Sequence, residues 1–278
     1  MVMGYEAFSR LKPFDVGRFL HLPGRKIYGI SIEVSTPTPG MLERMAAIAR
    51  ELNTLIVYIS YSTPREIDSI RGVAFIDFTE SKTRPEELLE RLRRLPFVKK
   101  MTVIPPVSNS FVVDLSSFPI TIGEERLVIF RESGYRALFE EIRRRIGDEA
   151  GSALLYHVGF NIGLGYGQSH RKLAEMLGLS RPKEVFETVT VPLAQALGFS
   201  LIEVLDMRDE PPYLRARFYR GFECEAMKAR GKPSSFMLRG MLDGILTTLY
   251  GVRMSSIELK CIAAGDPYCE YEAKPLKK

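Results

Sequence analysis

Cysteine is scarce in this sequence, with three residues among 278. A chain of this length is long enough for about two domains, each of which buries its own core without covalent cross-links. The fold therefore does not require disulfide bonds, and any role of the three cysteines has to be argued from their positions.

Long apolar runs are also missing, although 45% of the residues are hydrophobic and 26% are charged. No run approaches the ~20 residues that cross a bilayer. The first residues, MVMGYEAFSRLKPFDVG, contain no apolar signal-peptide core and no small-residue cleavage site. We therefore expect a cytoplasmic globular protein with no membrane partner.

An excess of one charge sign is nearly absent, because 39 basic residues face 34 acidic ones. The two signs alternate in segments such as RPEELLERLRR, which is typical of solvated helix faces, so we predict no direct nucleic-acid binding. Asparagine and glutamine are rare while arginine, lysine and glutamate are abundant. This balance indicates a thermophilic source.

Recognisable catalytic motifs are absent from the sequence. It contains no nucleophile elbow and no dinucleotide-binding fingerprint. Its three histidines, His21, His157 and His170, have neither metal-ligand nor catalytic-triad spacing with one another. We therefore do not expect an enzyme.

Residues 27–105 have the pattern of a compact α+β domain. KIYGISIEVS, TLIVYISYS, GVAFIDFTE and FVKKMTVIPP are predicted strands, and MLERMAAIARELN and RPEELLERLRRL are predicted helices. The resulting order, βαββαβ, is that of a split βαβ sheet with helices on one face.

The turn STPTPGML resembles the Pro/Gly loop between the first strand and first helix of ACT regulatory domains. The resemblance covers about 80 residues and implies an amino-acid site at Thr38, Pro39 and Gly40, with pairing of sheet edges between protomers. The alternative is that Pro39 and Gly40 only end a strand and start a helix.

The remaining segments divide into an N-terminal extension at 1–26, a linker at 106–122 and a helix-rich α+β domain at 123–274. In the last, Gly159, Gly163 and Gly167 recur every four residues, so a partner helix or a ligand can approach that backbone closely. FSLIEVLDM, YLRARFYRG and FECEAM are predicted strands, and SSFMLRGMLDGILTTLYG is a helix capped at Ser234/Ser235.

The stretch CIAAGDPYCEYE places two cysteines eight positions apart across a Gly-Asp-Pro turn. Three interpretations remain open: a disulfide, which a reducing cytoplasm disfavours, two buried thiols, or a metal site that includes Glu258. In a regular strand Glu258 and Cys261 face opposite sides, so a metal site requires a bulge between them. Thiolates with one carboxylate would select zinc.

The segment SSFMLRGMLDGILTTLYGVRMSSIELKCIAAGDPYCEYE resembles the C-terminal signature of the 4-vinyl reductase domain family, and the wider similarity covers about 150 residues. It implies a structural zinc site with Glu258, Cys261 and Cys269 as ligands and an archaeal source. The family's remaining cysteine position falls on Ser235. Cys224 is the other thiol, and it is a candidate replacement if its segment lies alongside.

The same resemblance implies a regulatory protein that binds a small hydrophobic metabolite in the C-terminal domain. The ligand would lie between 150–170 and 186–205, with Tyr156, His157, Gln195 and Phe199 as candidate contacts. It also implies a homodimer, and signalling would require a partner regulatory protein. The alternatives are a non-catalytic dimeric scaffold related to vesicle-tethering subunits, and an enzyme or assembly factor of tetrapyrrole metabolism.

Overall fold

The computed structural model describes residue 8 and residues 11–35, 38–62, 69–108 and 110–277. These form two compact units, which we call the N-terminal unit (Pro13–Val128) and the C-terminal unit (from Ile129 onward, with the described residues before Pro13). Both combine helices with antiparallel sheets. Among the described residues, no helix is long and apolar enough to cross a membrane.

The N-terminal unit contains the predicted βαββαβ order, flanked by two short strand pairs. Its elements are β1 (Phe19–His21), β2 (Ile27–Ser35), α1 (Met41–Glu51), β3 (Leu55–Tyr61), β4 (Ser69–Asp77), α2 (Pro85–Arg93), β5 (Val98–Ile104), β6 (Phe111–Val113), β7 (Thr121–Ile122) and β8 (Glu125–Arg126).

The four long strands form one antiparallel sheet in the order β3-β4-β2-β5. The α1 helix starts after Gly40, whose φ of 80° is readily adopted only by glycine, and α2 starts at Pro85, which needs no hydrogen bond there. Both helices pack on one sheet face, against a core that includes Ile32, Leu88 and Met101. This is the split βαβ topology expected from the sequence.

The opposite sheet face is covered by segments that the sequence assigned to an extension and a linker. The β1 strand pairs antiparallel with β6, and Val112 of β6 is fully buried in a second core with Phe75 and Ile104. Residues 19–21 and 111–113 are therefore integral to the N-terminal unit, whose limits extend beyond the predicted 27–105 on both sides.

Asp77 at the end of β4 provides a pH-dependent contact in this unit. Its buried carboxylate accepts hydrogen bonds from the Thr79 backbone N–H (2.8 Å) and from Arg25 (2.9 Å). Burial raises the pKa of Asp77, but the hydrogen bonds from Thr79 and Arg25 outweigh burial and lower the pKa below its ordinary value of 3.8.

We expect Asp77→Ala to destabilise the N-terminal unit by about 2 kcal/mol at neutral pH, because charged hydrogen bonds are lost. A lowered folded-state pKa stabilises above the unfolded pKa of 3.8, and this contribution disappears as pH falls through the folded value. The difference from wild type should therefore shrink below about pH 4. Hydrogen exchange of β4 amides in the full chain measures it. Glu33→Gln, at an exposed pair with Arg71, is the control and should change stability by less than about 0.5 kcal/mol.

The C-terminal unit consists of a helical layer and a four-stranded sheet. Its elements are α3 (Glu132–Ile146), α4 (Asp148–Met176), α5 (Pro182–Val185), a π-helical turn (Phe186–Thr190), α6 (Val191–Ala196), β9 (Leu201–Arg208), β10 (Tyr213–Tyr219), α7 (Phe222–Ala226), a 3-10 turn (Lys228–Arg230), α8 (Phe236–Tyr250), β11 (Met254–Lys260), a second 3-10 turn (Ile262–Ala264) and β12 (Cys269–Pro275).

The helices α4 and α8 cross in direct backbone contact. A methyl group at Gly163 of α4 would overlap the carbonyl group of Met241, and one at Gly244 of α8 would overlap the carbonyl group of Phe160. The four-residue glycine spacing on α4 therefore serves a partner helix within the same unit.

The sheet of this unit has the antiparallel order β11-β12-β10-β9. One sequence prediction fails beside it, since FECEAM was expected to be a strand and residues Phe222–Ala226 form the short helix α7. The alternating pattern was misleading because Glu223 is buried together with Cys224 rather than facing solvent.

Candidate metal centre

Three cysteines and one glutamate converge where α7 meets the β11–β12 hairpin. One ligand atom each from Cys224, Glu258, Cys261 and Cys269 lies within 4.8 Å of all the others. Cys224 comes from α7, Glu258 from β11 and Cys269 from the first position of β12, while Cys261 directly follows β11. The three thiols are at most 1% exposed.

A bulge in β11 brings Glu258 and Cys261 to the same side. The register with β12 shifts between Glu258 and Lys260, so that Leu259 has no partner across the ladder. Beyond the bulge, the Cys261 N–H donates to the Asp266 carboxylate at 2.8 Å, which fixes the turn after the strand. The bulge that the sequence required for a shared site is therefore present.

The donor set and its spacing fit a tetrahedral zinc ion. The Sγ atom of Cys224 lies 3.6 Å from that of Cys261 and 3.4 Å from that of Cys269. Zinc–sulfur bonds of about 2.3 Å place tetrahedral sulfur ligands ~3.8 Å apart. The Oε1 atom of Glu258 is buried without a hydrogen-bond partner, which leaves it available as the fourth ligand.

The electrostatics of the cluster also favour a cation. Burial, followed by the charge of Cys261, raises the pKa of Glu258 to about 9. Hydrogen bonds to Cys261 and Cys269, together with burial, raise the pKa of the Cys224 thiol. Without a cation these groups retain protons, so binding of a divalent metal ion by all four ligands releases protons.

Ser235 does not join the cluster, although it occupies the position where the resemblance implied a cysteine. It is the N-cap residue of α8, but its side chain makes no capping hydrogen bond. Its hydroxyl instead contacts the hydroxyl of the fully buried Tyr271. Cys224 thus supplies the thiol that Ser235 cannot.

Residues 214–275 contain a 4-vinyl reductase domain. The four candidate ligands and Ser235 all lie within this segment. Its boundaries run from β10 to the end of β12, so it includes α7, α8 and the hairpin that together form the cysteine cluster. No curated protein matches the sequence.

Several solved structures resemble the part of the chain that contains the 4-vinyl reductase domain. The phenol-responsive sensory domain of the transcription activator PoxR, solved with phenol, is 20% identical, with 56% of this chain and 79% of that chain covered at a TM-score of 0.50. That similarity shows a shared fold.

Two further structures cover a similar share of the chain with lower TM-scores. A trafficking protein particle complex subunit 3 from Naegleria fowleri, covalently bound to palmitic acid, is 16% identical (52% of this chain, 93% of that chain, TM-score 0.41). A vinyl-4-reductase family protein from Methanocaldococcus jannaschii is 17% identical (55% and 85%, TM-score 0.36).

A polar cluster that the sequence did not predict adjoins the metal centre. The Tyr156 hydroxyl of α4 donates to the fully buried Asp243 of α8 at 2.7 Å, and the Ser256 N–H of β11 donates to the same carboxylate oxygen at 3.1 Å. Arg239 stacks on the Tyr156 ring at 5.0 Å and lowers the pKa of Glu258, although burial dominates that pKa. The only advance signal was the spacing of Arg239 and Asp243 by one helical turn.

The other predicted ligand contacts lie outside the 4-vinyl reductase domain and do not converge. His157 is exposed beside Tyr156, Gln195 is half-buried on α6, and Phe199 packs against the rings of Tyr166 and Phe222.

Two cavities are found among the described residues. One of about 40 Å³ lies in the apolar core of the N-terminal unit, and one of about 410 Å³ lies beside the cysteine hairpin, bordered by Glu225, Lys228 and Ile262. Neither is lined by Tyr156, His157, Gln195 or Phe199.

In the N-terminal unit, the predicted loop site at Thr38, Pro39 and Gly40 is exposed. The Met41 N–H donates to the Thr38 carbonyl oxygen at 3.2 Å, which closes the turn that starts α1. Thr36 and Pro37 of the same loop lie outside the described residues.

Proposed function

We propose that the 4-vinyl reductase domain binds one structural zinc ion through Cys224, Glu258, Cys261 and Cys269. The observation that carries the proposal is the convergence of these four ligand atoms within 4.8 Å at a buried position. Four protein ligands complete a tetrahedral shell and leave no position for a reactive water, so the ion would tie α7 to the closing hairpin rather than catalyse a reaction.

We further propose that the zinc-stabilised C-terminal unit belongs to a non-catalytic regulatory protein that senses a small hydrophobic metabolite. The 4-vinyl reductase domain and the fold shared with a phenol-responsive sensory domain support this assignment. The N-terminal unit would act as an ACT-like regulatory domain in a cytoplasmic homodimer, and its split βαβ topology is consistent with that role.

A dimeric scaffold is the second candidate, and one observation favours it. The residues predicted to line a ligand cavity, such as Gln195 and Phe199, line neither of the two cavities found. Thermal unfolding of the full chain with and without phenol separates the candidates. A rise in melting temperature supports a sensor, whereas a scaffold without an internal site shows no change.

Metal content tests the proposed centre directly. Protein purified without a histidine tag should contain about one zinc ion per chain by elemental analysis, because the four ligands are preorganised in the fold. Cys261→Ser should lower this content to near zero, since it removes a thiolate from a four-ligand shell. Wild-type protein that binds no zinc when supplied with it would reduce the cluster to buried thiols.

A further inference from the structure

Glu223 is a fully buried carboxylate on the residue before Cys224. One of its oxygens accepts a hydrogen bond from the backbone N–H of Leu238 at 2.9 Å. The other pairs with Arg143 of α3 at 3.3 Å, and Arg143 is itself buried. A charge buried this deeply is retained in a fold only when it is paired and hydrogen-bonded, as Glu223 is.

The bond to Leu238 gives Glu223 the role that a helix N-cap side chain normally has. Leu238 is the third residue of α8, and its N–H is one of the donors that an N-cap serine usually satisfies. Ser235 makes no such bond, because its hydroxyl contacts Tyr271. Glu223 therefore caps α8 from outside the helix and thereby fixes α7 against it.

Arg143 adds a second anchor on the other side of the same carboxylate. It also donates to the Ser234 carbonyl oxygen at 3.3 Å, so α3, α7 and the start of α8 are joined through two side chains. With both oxygens of Glu223 bound, the adjacent Cys224 is held where its Sγ atom lies 3.4 and 3.6 Å from the two hairpin thiols.

We infer that Glu223 is the positioning residue of the metal centre: by capping α8 and pairing with Arg143, it places Cys224 as the ligand that substitutes for Ser235. The inference rests on the proposed metal centre. Residues that orient metal ligands typically change metal affinity 10- to 100-fold when mutated.

The test compares metal affinity in variants of the full chain, measured by competition with a chromophoric zinc chelator. Glu223→Ala should weaken zinc binding about 10- to 100-fold. Glu223→Gln should retain most of the affinity, because its carbonyl oxygen still accepts from Leu238. If Glu223→Ala does not fold, Glu223→Met supplies a side chain of similar length without an acceptor and should show the same loss.

Cobalt substitution distinguishes positioning from a general loss of stability. The intensity of the sulfur-to-cobalt charge-transfer band reports how many thiolates bind, and Glu223→Ala should lower it from a three-thiolate towards a two-thiolate value. The matched control is Asp209→Ala, because the Asp209 carboxylate accepts a hydrogen bond at 2.8 Å from the backbone N–H of Lys183 at the start of α5, away from the cluster. It should leave affinity and spectrum unchanged.

The outcomes separate this inference from the proposal beneath it. Wild-type protein that binds neither zinc nor cobalt contradicts the metal centre itself. Wild-type binding combined with an unchanged affinity and three-thiolate spectrum in Glu223→Ala or Glu223→Met overturns the positioning role alone. An equal loss in the Asp209→Ala control would also overturn it, since any lost cap would then have the same effect.

Discussion

Gly163→Ala is expected to destabilise the C-terminal unit by about 3 kcal/mol or more. The added methyl group would overlap the backbone carbonyl group of Met241, and neither helix can yield by rotating a side chain. Overpacking a core usually costs about 1–3 kcal/mol, and a clash between two backbones lies at the upper end because whole helices must separate. Chemical denaturation of the full chain, followed by helical circular dichroism, measures the change.

Gly165→Ala is the matched control for this prediction. Gly165 lies two residues further along the same helix, is exposed, and has no atom within 4 Å of the position of an added methyl group. Alanine there should stabilise α4 by up to about 1 kcal/mol, since glycine is a poor helix former. Equal effects at the two positions would show that helix propensity, and not the contact with α8, governs this helix.

These glycines illustrate what the sequence can and cannot predict. The repeat of Gly159, Gly163 and Gly167 indicated a close approach, because glycine at every fourth position leaves one helix face bare. It did not identify the partner. The complementary Gly240 and Gly244 of α8 are about 80 residues away, and only the fold brings the two bare faces together.

The strand order of the N-terminal unit was predictable for a local reason. Each strand from β2 to β5 alternates apolar and polar residues over seven or nine positions and ends at a turn signal. The β1–β6 pair was not predictable, since each strand has three residues and they pair across about 90 positions. Short strands carry too little periodicity to be recognised before their partner is known.

The metal centre shows the same division between local and long-range information. Glu258, Cys261 and Cys269 belong to one hairpin, so their spacing and the need for a bulge were visible in the sequence. The place of Cys224 was not, because α7 was interpreted as a strand. That segment is a helix whose buried Glu223 is paired with Arg143, 80 residues away, and no local pattern encodes such a pair.

The substitution of Cys224 for the missing cysteine at position 235 leads to the second large effect. We expect Cys224→Ser to weaken zinc binding more than about 100-fold, because a ligand contributes more than the residues that orient it. The loss should also lower stability in the presence of zinc, by about 4 kcal/mol if the free zinc concentration is about 1,000 times the dissociation constant of the wild type. Competition with a chelator and denaturation with added zinc measure the two effects.

Adding Ser235→Cys to Cys224→Ser should restore binding. Ser235 is buried at the start of α8 and contacts Tyr271, and the charges of Cys269 and Cys224, after burial, raise the pKa of Tyr271, which places Ser235 at the border of the cluster. Ser235→Cys alone, with Cys224 intact, is the control and should retain wild-type affinity. A double variant that stays metal-free while the control binds zinc would mean that α8 starts too far from the hairpin thiols for residue 235 to serve as a ligand. Cys224 would then be the only geometrically competent third thiol in this chain, and its pairing with Glu223 on α7 a requirement of the centre rather than one of two solutions.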